Sequence, residues 1–419
     1  MTISVFQLGA RMKYTVPQYL HKAKILEKVY TDICVDLPPF NWSSKLIQKL
    51  PWNAIQKFIG RKVDLPQQKI THFPILGLRY FMRKRGVLNE EAECVNFIWA
   101  DKNFGNAVNE KLQNELSEML YLYNTAALTI AKENKHRKII LEQCSLPYSI
   151  YRDRIRKEMT VYSDWTRSYA SDDNLPDAVH QYIQNEELEW ALSDHIICPS
   201  KNVEESLIHR GVPGNKISCI PYGFTFSGQH QPRTVSTASK LKVGTIGYLT
   251  LRKGIHYFYK VASICNFAEF VAIGGDGFDL PEEKKVLLSK VIKLTGHLDR
   301  KRLLENFSKI DVLLFLTVGE GSATVVYEAL SLGIPVITTA ASGSIVEDGV
   351  NGFIVDPADI QRIMFLLEQM CNPEFYHFLS ENALKRSIYG SSDAYGSRLV
   401  NFVQAFLQPE IKPIHLNIQ

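Results

Sequence analysis

Short apolar runs alternate with helical patterns along most of this chain. In its first half, strands are predicted at the runs ISVFQLG, KIILEQ, HIICPS and KISCIPYG. Helical stretches such as DAVHQYIQNEELEWALS separate them. Strands that alternate with helices are typical of parallel sheets joined by crossover helices. The pattern therefore predicts an α/β protein.

The alternation stops once and then resumes. Residues 225–240 are polar, rich in Ser and Thr and without periodicity, which indicates a linker. Beyond them the predicted strands are LKVGTIGY, FVAIGGDG, VIKLTG, DVLLFL and PVITT, followed by the turn-rich segment EDGVNGFIVDP. A chain of 419 residues also exceeds one ordinary hydrophobic core. Two domains are therefore expected.

We expect these domains to be Rossmann-like and to face each other across a cleft, with ligands outside the carboxyl ends of the strands. The N-terminal domain is placed at residues 1–224, the linker at 225–240 and the C-terminal domain at 241–385. Residues 386–419 are expected to form a C-terminal helix that crosses back to the N-terminal domain.

The composition of the chain indicates the cellular compartment in which the protein is expected. The sequence has no run of about 18 apolar residues and no charged-then-apolar leader, so a cytoplasmic, unprocessed protein is expected. The cysteines are scattered, odd in number and never in C-x-x-C spacing, which fits a reducing compartment and argues against a zinc site. They are Cys34, Cys94, Cys144, Cys198, Cys219, Cys265 and Cys371.

The net charge of +4 conceals an asymmetry, because residues 1–90 carry 15 Lys and Arg against 5 acidic residues. Such a field attracts anionic partners. The segment PWNAIQKFIG, at 51–60, puts Trp52, Ile55 and Phe58 on one side of a helix, and LRYFMRKRG follows at 78–86. This mixture suits peripheral contact with an anionic membrane, at the inner face of the cell membrane, although packing on the first sheet would explain it equally well. No nucleic-acid recognition motif accompanies the charge, so a nucleic-acid partner is not expected.

Two adjacent cations stand at a predicted strand-to-helix turn. In YLTLRKGIHYF, residues 248–258, Arg252 and Lys253 lie beside the first free N–H groups of a helix that starts at Gly254. Cations and a helix N-terminus together favour an anion. An arbitrary Arg-Lys pair in a loop would more often be simply solvated.

Two acids bracket a second helix N-terminus. Glu320 precedes the bare backbone of Gly321 and Ser322, and Glu328 follows on the next helix. Carboxylates would repel a diphosphate at their own position, so they are better suited to accept hydrogen bonds from hydroxyl groups on either side of it. A sugar nucleotide has this layout. Either acid alone could equally be solvated or pair on a helix surface.

Together these motifs resemble a known family. Glu320 and Glu328 are similar to the E-x(7)-E pattern of retaining glycosyltransferases of family 4, which have the GT-B fold, and GYLTLRKG is similar to that family's phosphate loop. The segments SDHIICPSKNVEESLIHRGVPGNKISCIPYG and VIKLTGHLDRKRLLENFSKIDVLLFL also resemble family signatures. The resemblance implies sugar transfer from a nucleoside-diphosphate sugar to a hydroxyl of a glycan or lipid-linked acceptor, with retention through a front-face mechanism.

The resemblance also implies roles for individual residues. Lys253 would contact the donor diphosphate, Glu320 the donor sugar and Glu328 the ribose. The residues expected to bind the donor are Gly9, Gly247, Lys253, His297, Gly321, Ser322, Ala323, Thr324 and Glu328. Those expected to take part in catalysis are Arg252, Lys253, Glu320 and Glu142.

The sequence departs from the family pattern at two places. Tyr248 stands where many members carry Arg, so Arg252 is expected to supply the second positive charge. Where many members have a histidine at the end of an N-terminal strand, this chain has Glu142 and Gln143. Glu142 could orient the acceptor hydroxyl or take its proton, or it could be a buried residue that ends the strand.

We find no D-x-D motif at a strand end, and the segment GDGFD, with Asp276 and Asp279, reads as a loop. Arg252 and Lys253 can stabilise the leaving phosphate themselves. We therefore expect no metal and no other cofactor. A sugar-nucleotide epimerase, or an inactive module that only binds nucleotide, remains an alternative on the same fold.

Overall fold

The computed structural model describes residues 2–39, 61–85, 87, 89–113, 115–167, 175–226, 230–276 and 279–407. The chain forms two parallel sheets, each with helices packed against it, which confirms the predicted two-domain α/β fold. The first sheet has the strand order β3-β2-β1-β4-β5-β6-β7. Its strands are β1 (Ile3–Gln7), β2 (Leu26–Thr31), β3 (Ile70–His72), β4 (Met119–Tyr123), β5 (Lys138–Glu142), β6 (His195–Cys198) and β7 (Ile217–Cys219).

The second sheet has the order β10-β9-β8-β11-β12-β13. Its strands are β8 (Leu241–Ile246), β9 (Ala268–Ile273), β10 (Ile292–Leu294), β11 (Val312–Phe315), β12 (Val336–Thr338) and β13 (Gly352–Ile354). In each sheet the order reverses beside the first strand of the domain, and ligands bind at such a reversal in doubly wound folds.

Helices connect the strands on both faces of each sheet. Those before the linker are α1 (Thr15–Lys22), α2 (Pro74–Lys84), α3 (Glu90–Leu112), α4 (Leu128–Glu133), α5 (Tyr148–Val161), α6 (Asp177–Leu192) and α7 (Lys201–His209). Those after it are α8 (Ile255–Ile264), α9 (Glu282–Ser289), α10 (Arg300–Phe307), α11 (Thr324–Ser331), α12 (Ile360–Gln369), α13 (Pro373–Tyr389) and α14 (Ser392–Leu407).

Strand β13 lies in the turn-rich segment EDGVNGFIVDP, where the sequence did not predict a strand. It pairs in parallel with β12, Val336 opposite Gly352. A Cβ on Gly352 would lie 2.2 Å from the carbonyl oxygen of Val336, so glycine allows this close pairing at the sheet edge. The turn residues around it conceal a strand of only three residues.

The last helix joins the two domains. Helix α14 packs on α1 of the N-terminal domain, and the side chain of Tyr395 is buried in that domain's core. Tyr19 Oη donates a hydrogen bond to Asp393 Oδ1 at 2.6 Å. A Cβ on Gly396 would lie 2.2 Å from the Tyr19 ring, so the two helices meet at a glycine. The chain thus crosses between the domains twice.

Within the described ranges, no helix has the length and apolar content needed to cross a bilayer.

Candidate functional site

The cationic turn follows strand β8 at the cleft. Residues Leu251–Lys253 form a short 3-10 turn, and the backbone N–H of Lys253 donates to Thr250 Oγ1 at 3.4 Å. Gly254 comes next with φ of +72°, and a Cβ there would lie 1.9 Å from the carbonyl oxygen of Leu316. Only glycine allows this left-handed backbone to lie so close to the end of β11. The glycine therefore places both cations at the start of α8.

The structure brings three predicted residues together. Arg252 Nη1 contacts Glu320 Oε1, and Lys253 Nζ lies 2.7 Å from the same oxygen. The Lys253 ammonium also lies 5.0 Å from the centre of the Phe315 ring. Burial lowers the pKa of Lys253, while Glu320 opposes that shift. In this structure a single carboxylate thus balances two cations in the cleft.

The loop that carries Glu320 is held between the domains. Asn202 Nδ2, from the N-terminal domain, donates to the Glu320 carbonyl at 3.0 Å, and Ser200 Oγ donates to the Gly321 carbonyl at 2.6 Å. A Cβ on Gly321 would lie 2.1 Å from the carbonyl oxygen of Cys144. We call residues 200–202 the clamp turn, because they hold this loop in place.

The same loop has four backbone N–H groups ahead of helix α11, and two of them are hydrogen-bonded to other backbone groups. The N–H of Glu320 donates to Ala341 O at 2.9 Å, and the N–H of Ala323 donates to Ser342 O at 3.0 Å. Among the described residues, the N–H groups of Gly321 and Ser322 have no such acceptor. Two free N–H groups ahead of α11 can receive a ligand oxygen.

The ribose end of the predicted site contains an ion pair that the sequence did not indicate. Arg300 Nη1 lies 3.0 Å from Glu328 Oε2. Burial raises the pKa of the Glu328 carboxyl, and Arg300 opposes that shift. These residues are 28 positions apart, so no local spacing signals their contact. The only signal in the sequence was that Arg300 lies in a segment that resembles a family signature.

The other residues that the sequence predicted to bind the donor lie nearby and make fewer contacts. A Cβ on Gly275 would lie 3.4 Å from the Tyr248 ring and 3.9 Å from His297 Cβ. Gly247 has a φ of +131°. Ser322 Oγ lies 3.1 Å from Tyr327 Oη, and Thr324 is exposed.

On the N-terminal side, the loop after β1 is unusual. The N–H of Gly9, whose φ is +84°, donates to Asp32 Oδ1 at 3.1 Å. Met12, Lys13 and Tyr14 all have positive φ, which is uncommon for residues other than glycine. Arg11 Nη2 donates to Thr125 Oγ1 at 3.2 Å. This loop brings Arg11, which sequence reasoning missed, to the ends of β1 and β4.

Glu142 ends strand β5 and is fully buried. Its carboxylate accepts hydrogen bonds from Tyr121 Oη and, at 2.6 Å, from Tyr222 Oη. Burial raises the pKa of this carboxyl. These contacts favour the interpretation as a buried strand-end residue, and its role in catalysis stays a prediction.

The side chain of Gln143 is also fully buried. Its Oε1 accepts from Trp190 Nε1 at 3.0 Å, and its Nε2 donates to Glu186 Oε1 at 2.9 Å. Glu186 also accepts from the N–H of Tyr148 at 2.7 Å. Burial raises the pKa of Glu186 to about 7. Gln143 thus fixes the loop after β5 to helix α6.

The loop with Asp276 and Asp279 does not gather a set of ligands. Asp276 Oδ2 lies 2.6 Å from Lys285 Nζ and is half exposed. In the part of the chain that the structure describes, no three His, Cys, Asp or Glu side chains are grouped as a metal ion would require.

Residues 240–372 match the family model described as glycosyl transferases group 1. A glycosyltransferase of amylovoran biosynthesis from Erwinia amylovora is 22% identical over 236 residues, which cover 52% of this chain and 56% of that protein. A GDP-mannose-dependent alpha-mannosyltransferase from Mycobacterium tuberculosis is 29% identical over 157 residues, 36% of this chain and 40% of that protein. The chain thus spans 56% of the length of the first of these relatives and 40% of the second.

Solved structures share the whole fold. A sucrose-phosphate synthase from Thermosynechococcus elongatus superposes with a TM-score of 0.64 at 14% identity, covering 97% of this chain and 99% of that one. HepE from Anabaena in complex with UDP gives 0.60 at 14% identity, covering 97% and 100%. These similarities confirm the predicted GT-B fold.

Glu186 provides a pH test of the packing behind the site. Because its folded pKa lies near 7 and its ordinary value near 4.5, the folded state holds the proton more tightly, so this group's contribution to stability falls between these pH values. The fall amounts to about 3 kcal/mol. In urea unfolding followed by Trp fluorescence from pH 4.5 to 7.5, Glu186→Gln should lose this part of the pH dependence. Glu205→Gln, at an exposed glutamate of helix α7, should keep it, and equal pH profiles of Glu186→Gln and wild type would contradict the assignment.

Proposed function

We propose that this chain is a glycosyltransferase that moves a sugar from a nucleoside-diphosphate sugar to a hydroxyl of a glycan or lipid-linked acceptor. The contact of Arg252 and Lys253 with Glu320 carries the proposal, because it joins the phosphate-binding and sugar-binding groups at one end of the cleft. The domain that contains them matches glycosyl transferases group 1. The relative from amylovoran biosynthesis supports a glycan product, and the neighbour bound to UDP supports a nucleotide donor.

The charges indicate how the donor would bind. Phosphate oxygens would take the place of Glu320 beside Arg252 and Lys253, and the freed carboxylate would accept hydrogen bonds from sugar hydroxyls. As the bond to the leaving diphosphate breaks, negative charge grows on its oxygen. The two cations and the N-terminus of α8 would stabilise that charge.

Glu328 would bind the nucleoside end of the donor. Its carboxylate can accept two hydrogen bonds from a ribose diol when Arg300 turns away from it. Arg300 is half exposed, so it can move at small cost.

We also propose that transfer retains the configuration of the sugar and needs no metal. In a front-face transfer the acceptor hydroxyl gives its proton to the departing phosphate oxygen, so no separate protein base is required. The charge that a divalent ion would supply comes from Arg252 and Lys253. The support for retention is the family resemblance of the E-x(7)-E pattern.

Removal of the lysine charge tests the leaving-group assignment. Lys253→Ala should lower kcat/KM by on the order of 100-fold or more, because a preorganised charge on a developing oxyanion contributes about 3 kcal/mol. A thermal-shift screen of nucleoside diphosphates first identifies the nucleotide that binds. The rate is then measured as release of that diphosphate from the matching sugar nucleotides, in EDTA and with candidate acceptors present. Lys290→Ala, at an exposed lysine of the same domain, is the control.

Three outcomes would count against this account. An unchanged rate in Lys253→Ala would remove the lysine from the site. Loss of the wild-type rate in EDTA, restored only by Mg²⁺ or Mn²⁺, would contradict the metal-free proposal. Conversion of the donor sugar without any transfer product would favour an epimerase.

The two glutamates should differ in their effects. Glu328→Ala should weaken binding of the free nucleoside diphosphate because it removes the ribose acceptor. Glu320→Ala should leave that affinity nearly unchanged, or raise it, because the carboxylate competes with phosphate for Lys253. Sugar transfer should fall in both. Calorimetry with UDP and GDP measures the affinities, and equal losses in both variants would be inconsistent with the assignment.

We further propose that the N-terminal domain binds an anionic membrane surface peripherally. Helix α2 exposes Ile75, Leu78 and Met82 at helical spacing, with exposed fractions of 69%, 39% and 61%. Arg83, Lys84 and Arg85 at its end are exposed as well. The segment 51–60, which the sequence analysis also singled out, lies outside the described residues.

Vesicle sedimentation tests this surface. Each cation near an anionic membrane contributes about 1 kcal/mol, so wild type should pellet with phosphatidylglycerol vesicles at low salt and be released at high salt. Changing Arg83, Lys84 and Arg85 to Glu should abolish pelleting. Reversal of three exposed lysines of the C-terminal domain, Lys290, Lys301 and Lys309, serves as the charge-matched control and should keep it. Wild type that stays in the supernatant at low salt would disprove the proposal.

A further inference from the structure

Two cysteines lie side by side on neighbouring strands behind the clamp turn. Cys198 ends β6 and Cys219 ends β7, and the two are aligned in the parallel register. The N–H of Ile220 donates to the Cys198 carbonyl at 2.8 Å, which fixes that alignment. Neighbouring strands lie about 4.8 Å apart, within the Cα separation of about 4.4 to 6.8 Å that a disulfide needs. Aligned side chains of a parallel pair also point to the same face.

The surroundings of the two thiols differ. Cys198 is fully buried, whereas Cys219 is only partly buried, on the edge strand of its sheet. Interaction with the neighbouring Cys198 thiol, together with Lys201 and Arg398, lowers the pKa of Cys219, against the opposing effects of burial and Glu204. The interaction with Cys219 and burial raise the pKa of Cys198. A reactive, partly exposed thiol beside a resolving thiol is the arrangement found in redox-sensing cysteines.

The pair is connected to the candidate site through three consecutive residues. Cys198 Sγ lies 3.6 Å from the carbonyl oxygen of Ser200, the residue that caps helix α7 and holds the Gly321 carbonyl. Asn202, in the same clamp turn, holds the Glu320 carbonyl. A change in the position of Cys198 would therefore alter the contact between the clamp turn and the Glu320 loop.

We propose that Cys198 and Cys219 form a redox-sensitive dithiol, whose oxidation to a disulfide loosens the grip of the clamp turn on the Glu320 loop and slows sugar transfer. The oxidant is a peroxide. The Cys219 thiolate attacks one oxygen of hydrogen peroxide and becomes a sulfenic acid, releasing hydroxide, which takes up a proton to become water. The Cys198 thiol then attacks the Cys219 sulfur and expels a second water. Two thiols are thus oxidised and one peroxide is reduced to two waters.

Disulfide mapping tests the chemistry without reference to activity. The reduced full chain is treated with hydrogen peroxide, its remaining thiols are blocked with N-ethylmaleimide, and tryptic peptides are analysed without reduction. Cleavage after Lys201 and Lys216 puts the two cysteines on separate peptides. We expect one linked species that joins these peptides and disappears with dithiothreitol, and a fall of two in the count of free thiols. Recovery of both peptides unlinked, whether blocked or over-oxidised, would overturn the proposal.

Single variants identify the pair. Cys219→Ser and Cys198→Ser should each prevent the linked species, whereas Cys265→Ser, at a partly buried cysteine of the other domain, should leave it unchanged. Thermal melting shows that each variant is folded. Formation of a different disulfide in wild type, or persistence of the same mass in Cys219→Ser, would contradict the assignment.

The effect on transfer rests on the proposed function and is measured separately. Oxidised wild type should release nucleoside diphosphate at least three-fold more slowly than reduced wild type, with recovery in dithiothreitol, and Cys219→Ser should not respond to peroxide. An oxidised chain of unchanged rate would overturn the coupling to the Glu320 loop. If reduced wild type shows no transfer at all, the proposed function fails, while the peptide map still decides whether the dithiol exists.

Discussion

The placement of the Glu320 loop between the two domains is the constraint on which the candidate site depends. Gly321 lies so close to the Cys144 carbonyl that any side chain there would collide with the backbone of the N-terminal domain. The clamp turn holds two carbonyls of the same loop. Because both domains fix this loop, the Glu320 carboxylate reaches the cations that follow β8. A change in the contact between the domains would therefore move the Glu320 carboxylate relative to Arg252 and Lys253.

Those charges compensate each other in the structure. Lys253 is largely buried, and burial of an unpaired ammonium would be costly. Glu320 offsets this cost in the same way that a bound anion would. The site is thus prepared for an anion but holds its own carboxylate in place of one. Glu328 is likewise largely buried, and its ion pair with Arg300 offsets the cost of burying that carboxylate.

Buried carboxylates shape several strand ends of the N-terminal domain. Glu189 accepts from the N–H groups of Thr125 and Ala127 at 3.2 and 3.1 Å, and Glu142 accepts from two tyrosine hydroxyls. Such fully satisfied polar groups fix loop geometry because an alternative arrangement would leave a buried group unpaired. The strand ends on the N-terminal side of the cleft are therefore held by satisfied buried carboxylates, while the position of the Glu320 loop depends on the contact between the domains.

The sequence by itself determined the features that depend only on the spacing of neighbouring residues along the chain. The alternation of strands and helices predicted the two-domain fold. The positions of Arg252, Lys253 and Glu320 just before helices, and of Glu328 within the helix that follows Glu320, came from neighbouring glycines and apolar runs. Only the tertiary structure decided which of these charges meet. Arg252 and Glu320 are 68 positions apart, and Arg300 and Glu328 lie on different helices, so their contacts depend on strand order. The same holds for Cys198 and Cys219, because sequence periodicity gives the face of a strand but not the strand beside it.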